Sequence, residues 1–293
     1  MRVHLQCFPC FLKQAMIAAQ QISADPALVK SFIDLSLEPI REASLGDTPA
    51  HIATEIYRRI RAKLNGTDPF RRIKDRCTAI ALESRDDLFH SVRTAANPLE
   101  AAIRASVAGN VIDFGIYSDI NIGPIIDNVL HGEFGILSLS ELTEDLESAR
   151  SVLFLADNAG ELVFDAPLIE HLMQFGGVTV VVKSVPVIND ATIEDARASR
   201  IPDGVKYIEN GSDCVGTILE TCSEEFMDAF NEADLIVSKG QANFETLDEV
   251  DGANIYFLFK AKCEVTAGIV GVKKDSLCAI SNRSIRRTRS GCF

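Results

Sequence analysis

The 293-residue sequence has no run of eighteen or more apolar residues, so no segment is suited to crossing a bilayer as a helix. Its first residues, MRVHLQCFPC, lack the apolar core of a secretory signal, and a cytoplasmic location is expected. Excess positive charge is absent too. With 29 Lys and Arg against 42 Asp and Glu, the net charge of −13 argues against duplex DNA or RNA as the main partner, because phosphate backbones are held by surplus cations. The exception is local: Arg283, Arg286, Arg287 and Arg289 crowd the last eleven residues. A short basic end of this kind is read as solvated and is assigned no function.

The cysteines lack the density of a disulfide-stapled secreted fold. Eight are scattered at 7, 10, 77, 214, 222, 263, 278 and 292, and only Cys7 and Cys10 form a close pair. Lying at i and i+3 where the first helix begins, these two turn their sulfurs to one side, which suits a redox couple, half of a metal site or plain packing. A second CxxC, needed for a closed zinc site, is missing. Cys263 is a candidate third thiol. A thioredoxin-like unit would need a strand before Cys7, and none precedes it. Internal repeats and low-complexity linkers are also absent.

What is present is an ordinary folded composition, 47% hydrophobic and 24% charged, in a chain long enough for one large domain or two ordinary ones. From Phe11 to about Gly109 apolar residues recur at three- and four-residue spacing over 10–19, 27–36, 48–64 and 75–89, which predicts helices. Asp25-Pro26, Asn65-Gly66 and Asp68-Pro69 punctuate them. After Ser151 the period changes. Continuous apolar runs at 152–156, 178–182, 235–237 and 255–259 suit strands buried on both faces, and helical patterns over 161–175, 191–199, 217–233 and 262–270 fall between them. This alternation predicts an α/β fold: a right-handed, doubly wound parallel sheet with flanking helices, over 110–293, preceded by an all-helical region over 1–109. Residues 110–150 are treated as the junction.

In such sheets ligands gather beyond the carboxyl ends of the strands. Four polar endings lie there: 157–161, Lys183 with Asn189-Asp190, 210–213, and 238–243. Asp157, Asn158 and Asp190 are hard oxygen donors of the kind preferred by Mg²⁺ and accepted by Mn²⁺; such sites also hold Co²⁺ or Ni²⁺ in vitro. No histidine is near, which weakens a zinc hydrolase reading. Lys239 stands where an ammonium would neutralise a phosphate oxygen, and Gly160 and Gly240 would let backbone N–H groups approach it. Each ending also has a plainer reading. Asp157, Asn158 and Asp190 equally suit helix caps, 210–213 suits an ordinary turn, and a lone lysine suits solvent.

Six motifs nevertheless occur in order: Cys7-Phe8-Pro9-Cys10 with Gln14; Gly109-Asn110-Val111-Ile112-Asp113-Phe114; Asp157-Asn158-Ala159-Gly160-Glu161; Lys183 with Asn189-Asp190-Ala191-Thr192; Lys239-Gly240-Gln241-Ala242-Asn243-Phe244-Glu245; and Lys262-Cys263. Together, from residue 7 to about 263, they resemble the damage-control phosphatase family, long catalogued as domain of unknown function 89, and the CxxC resembles its prokaryotic-type subfamily. The resemblance implies a metal-dependent phosphatase of small phosphorylated metabolites, such as sugar phosphates or damaged phosphometabolites, with a helical N-terminal portion and a Rossmann-like catalytic portion. By motif position, Asp157, Asn158 and Asp190 would hold the metal and Lys239 the phosphate. Asn110 and Asp113 would join the substrate pocket from the junction, and Gly160, Glu161, Asn189, Gly240 and Asn243 would complete it. A methyltransferase activity proposed for a eukaryotic branch ranks low, because no glycine-rich methyl-donor fingerprint is present. The mechanism expected is attack by metal-activated water, without a covalent aspartyl intermediate, since Ala159 stands where such enzymes place a second Asp. The alternative is a non-catalytic phosphometabolite- or nucleotide-binding protein.

Overall fold

A computed structural model describes residues 1–111 and 132–290, with the side chains of 110, 111 and 288–290 outside that description. Helices α1 (Cys7–Ile22), α2 (Pro26–Glu42) and α3 (Pro49–Lys63) come first, followed by α4 (Arg71–Glu83), α5 (Arg85–Thr94) and α6 (Pro98–Val111). Local chemistry starts them. Asp25 accepts a hydrogen bond from the Ala27 N–H at 2.9 Å ahead of Pro26, and Thr48 caps α3 ahead of Pro49. The helix expected over 75–89 is in fact two, because the chain turns at Ser84. An apolar stripe carries its period across such a break, so spacing alone does not reveal it.

The remainder alternates strand and helix: β1 (Phe134–Leu137), α7 (Leu139–Ser148), β2 (Ser151–Leu155), α8 (Glu161–Leu172), β3 (Gly177–Val182), α9 (Ile193–Ala198), β4 (Lys206–Glu209), α10 (Glu224–Glu232), β5 (Leu235–Lys239), α11 (Gln241–Leu247), β6 (Ile255–Lys260), α12 (Glu264–Val270), β7 (Leu277–Ser281) and α13 (Asn282–Ser290). The seven strands form one sheet in the order β1-β7-β6-β5-β2-β3-β4. The α/β architecture is the expected one, with two differences. β7 runs antiparallel to β6, so the sheet is mostly rather than wholly parallel. The segment 217–233 is a loop and a short turn before α10 rather than one helix, because Thr217 and Ile218 are buried against neighbouring elements.

Alternate strand residues feed opposite cores. Val152 and Phe154 join the face covered by α4, α5, α6 and α8, whereas Leu153 and Leu155 join the face covered by α10, α11 and α12. Burial on both sides explains why the strands read as unbroken apolar runs. Helices α1 to α3 keep a separate cluster around Phe11, Phe32, Ile52 and Ile56. The arginine-rich end is not simply solvated: as α13 it sets Arg283 against Asp145 and Arg287 against Glu141. Arg289 lies outside the described side chains. Among the described residues no helix is long and apolar enough to cross a membrane.

Candidate metal and phosphate centre

The order of strands reverses at β2, which pairs with β5 on one side and β3 on the other. Carboxyl ends converge at that reversal, where open α/β sheets hold their ligands. The loops leaving β2 and β3 are stitched together by backbone bonds: the Ala159 N–H donates to the Asn189 carbonyl at 3.0 Å, and the Ala191 N–H to the Asp157 carbonyl at 2.8 Å. Asn158 and Asp190 thus stand opposite each other in a two-residue antiparallel bridge. Residues 157 and 158 are neighbours of residue 190, more than thirty positions on in the chain, for this reason.

They open into a cavity of about 520 Å³ floored by Asp157, Asn158, Glu161, Asn189 and Asp190, with Gly160 beside them, and roofed by α1, α3 and α4. Asn158 Nδ2 donates to Asp157 Oδ2 at 3.1 Å and also to Glu161 Oε1. Burial, with Glu161 and Asp190 facing it, pushes the Asp157 carboxyl well above the usual range. Asp190 is raised by burial as well, although Lys183 at 3.6 Å and Lys74 oppose the rise. Lys183 and Lys239 offset only part of this crowding of carboxylates, since Asp157 and Asp190 both stay raised, and a hard divalent cation is the group that this donor set suits. Among the described residues no group of three or more His, Cys, Asp or Glu side chains gathers into a metal-ligand cluster, so the oxygen set here is two aspartates and an amide.

Gly240 serves a different purpose from the one expected. Its N–H donates to the Leu258 carbonyl at 2.9 Å and is not offered to a ligand. What matters is the missing side chain: a Cβ at Gly240 would sit 2.1 Å from Asp157 Oδ2, and the residue has φ +80°, which favours glycine. Gly160 likewise gives way to Cys77 of α4, which a Cβ would approach to 2.9 Å.

Lys239 also departs from expectation. Its ammonium is fully buried behind the floor and does not line the cavity; it donates to Asp165 Oδ1 at 2.6 Å, the Ser106 carbonyl at 2.9 Å and Glu161 Oε2 at 3.3 Å. Burial works to lower its pKa, but the Asp165 and Glu161 carboxylates outweigh it and raise it. Asn243 is buried too, bracing the floor by donating to the Lys239 carbonyl at 2.8 Å and accepting from Thr217 Oγ1 at 2.8 Å. Asn110 lies in the last turn of α6 with its side chain outside the description, and Asp113 lies outside the described residues.

The cavity has cations of its own. Lys74 is held by Asp195 at 2.7 Å and Asp68 at 3.2 Å, and Lys260 by Asp275 at 2.9 Å. Lys262, on the loop after β6, makes no ion pair among the described residues, and its charge acts on both Asp157 and Glu245. Tyr57 of α3 and Lys74 of α4 line the cavity without a signal in the sequence, because nothing in a helical stripe marks the turn that faces a distant strand end. Cys7, Cys10 and Cys263 line the far wall as free thiols beside Glu245, whose carboxyl burial pushes up to about 7. Burial also raises the Cys7 and Cys10 thiols.

Comparison with known proteins gives a consistent result. The damage-control phosphatase ARMT1-like domain matches residues 3–278. A damage-control phosphatase of Pyrococcus horikoshii is 32% identical over 287 residues, covering 97% of this chain and 99% of its own, and an uncharacterized protein of Methanocaldococcus jannaschii is 36% identical over 284 residues, covering 92% of each. The crystal structure of a domain-of-unknown-function-89 protein from Pyrococcus horikoshii superposes with a TM-score of 0.87 at 32% identity, over 96% of this chain and 99% of that one. With the family's domain spanning nearly the whole sequence, the chain belongs to the damage-control phosphatase family.

Proposed function

We propose that the protein is a metal-dependent phosphatase acting on phosphate monoesters of small metabolites. The observation that carries this reading is the meeting of Asp157, Asn158 and Asp190 at the strand ends, their carboxyls raised by burial, with an unengaged cation, Lys262, on the same cavity. Asp157, Asn158 and Asp190 are the residues suited to hold a divalent ion, with Mg²⁺, Mn²⁺, Co²⁺ and Ni²⁺ as candidates. Bound there, such an ion supplies Lewis-acid polarisation of the phosphoryl group and an acidified water.

The chain's own residues do the rest. Lys262 neutralises the phosphate oxygens and stabilises the charge that they carry as the ester bond breaks. Lys239 acts from behind. By holding Glu161 and Asp165 it fixes the floor on which Asn158 is oriented, since Glu161 accepts from both Lys239 and Asn158. Gly240 leaves the volume that the Asp157 carboxylate occupies. The helical roof lines the rest of the cavity and sets which carbon skeletons fit.

The test is phosphate release from a panel of esters by the purified protein with each of the four metals. Turnover with at least one metal, lost on chelation and in Asp157→Ala and Asp190→Ala, supports the reading. Silence with every metal, or unchanged turnover in both variants, overturns it. A ligand-binding protein without turnover would instead show phosphate-dependent thermal stabilisation and no release.

A further inference from the structure

The turn that presents Asp190 contains a residue in the wrong place for its backbone. Ile188 has φ +49°, and it is the only β-branched residue in the left-handed region among the described residues; the other non-glycine cases are Asn65, Arg200 and Asp275. That region is disfavoured for any side chain and most of all for a branched one, whereas Gly, Asn and Asp adopt it readily. The Asp190 N–H donates to the Val187 carbonyl at 3.0 Å, so Ile188 and Asn189 are the two central residues of a four-residue turn. A positive φ at the first central position but not the second is a place where glycine is usual.

Stability does not account for the isoleucine. Its side chain is only half-buried and belongs to none of the hydrophobic clusters of the fold. What it does line is the cavity, with Asp190 and with Tyr57 of α3. The two also line the small neighbouring recess, so Ile188 and Tyr57 form a partition between the recess and the main cavity. Strain retained at such a position marks a side chain that is used.

Building on the phosphatase reading above, we propose that Ile188 is a specificity residue. Its side chain, opposite Tyr57, is the wall against which the carbon skeleton of the ester packs next to the phosphate. The wall offers no hydrogen bond from Ile188, so it favours substrates whose skeleton presents a C–H surface there over those that present a second charged group. The carbonyls and amides of the turn hold Asp190 without help from the side chain, which separates specificity from metal binding.

The experiment compares wild type with Ile188→Gly and Ile188→Asn, both of which tolerate the backbone, in steady-state hydrolysis of a sugar phosphate and in competition by inorganic phosphate, which has no carbon skeleton. The expected result is a rise of about tenfold in KM for the ester, of the size that one apolar contact gives, with kcat within about twofold and the inhibition constant of inorganic phosphate unchanged. The thermal midpoint of Ile188→Gly is expected at or above that of wild type, since the strain is relieved. An unchanged KM in both variants overturns the proposal. So does a parallel loss of kcat and of phosphate affinity, which would mean that the side chain positions Asp190. Wild-type protein that releases no phosphate with any metal overturns the phosphatase reading itself, a result distinct from either.

Discussion

Where the floor of the cavity is made of strand ends, its roof is made of helices that come from the other half of the chain. The floor residues Asp157, Asn158 and Asp190 stand on the loops that leave β2 and β3, and backbone bonds between those loops hold them in register. The roof residues Tyr57, Cys7 and Cys10 are placed by how α1 and α3 pack, and Lys74 of α4 by its ion pairs with Asp195 and Asp68. Chemistry is therefore expected to be rigid and specificity adaptable: a floor fixed by topology can carry one reaction while the roof varies with the substrate.

The largest effect is expected from emptying the floor. Asp157→Ala or Asp190→Ala should lower kcat by about three orders of magnitude, the scale on which loss of a charge-stabilising group acts, with no comparable change from a roof substitution such as Gln14→Ala. Steady-state assays at saturating metal measure it. If Gln14→Ala were as damaging as Asp157→Ala, the division between floor and roof would not hold.

The two lysines sharpen the comparison, because one is inside the floor and the other is at its edge. Lys239→Ala leaves Asp165 and Glu161 without their counter-ion and should cost about 3–5 kcal/mol of stability by denaturant titration. Lys262→Ala should leave stability within about 0.5 kcal/mol, as for an exposed residue, while weakening inhibition by inorganic phosphate at least tenfold. The reverse pattern would assign the phosphate to Lys239.

A smaller effect ties roof to floor through pH. Burial works to raise the Asp195 carboxyl, but its hydrogen bonds with Lys74 and Thr192 outweigh that and lower it. A carboxyl depressed in the folded state contributes stability above its unfolded pKa of about 3.9 and loses it as pH falls below that value. Wild type should therefore weaken on acidification through this window. Asp195→Asn should start weaker at pH 7 and change less below pH 4. Parallel pH curves for the two would dissociate Asp195 from the acid lability.

The smallest effect concerns the thiols. Cys7→Ser should leave turnover unchanged under reducing conditions and remove part of any loss caused by a disulfide oxidant. Identical oxidant sensitivity in wild type and variant would reduce Cys7 to packing.

Strands β2, β3, β5 and β6 were legible because burial on both faces makes each a short apolar run, and the polar residues after them located the floor. Strand β1, with three half-buried residues and an exposed glycine, carries no such signal. Strand β7 follows the hydrophilic turn at Lys273, Lys274 and Asp275, and nothing local shows that it runs antiparallel. The roles of Lys239 and Gly240 were misjudged for a related reason. A strand-end lysine looks the same in sequence whether its ammonium meets solvent or lies under the floor, and the carboxylates that claim it, Glu161 and Asp165, sit more than seventy residues away. Glycine in turn signals that space is needed without saying what fills it.

The central claim is that the strand-end oxygens hold the metal and that Lys262 holds the phosphate, each without the other. Titration of Mn²⁺ followed by electron paramagnetic resonance, with and without inorganic phosphate, tests it on wild type, Asp157→Ala and Lys262→Ala. One tightly held ion per wild-type chain is expected, none in Asp157→Ala, and in Lys262→Ala an ion that stays bound but no longer responds to phosphate. An ion retained by Asp157→Ala, or lost from Lys262→Ala, would contradict it.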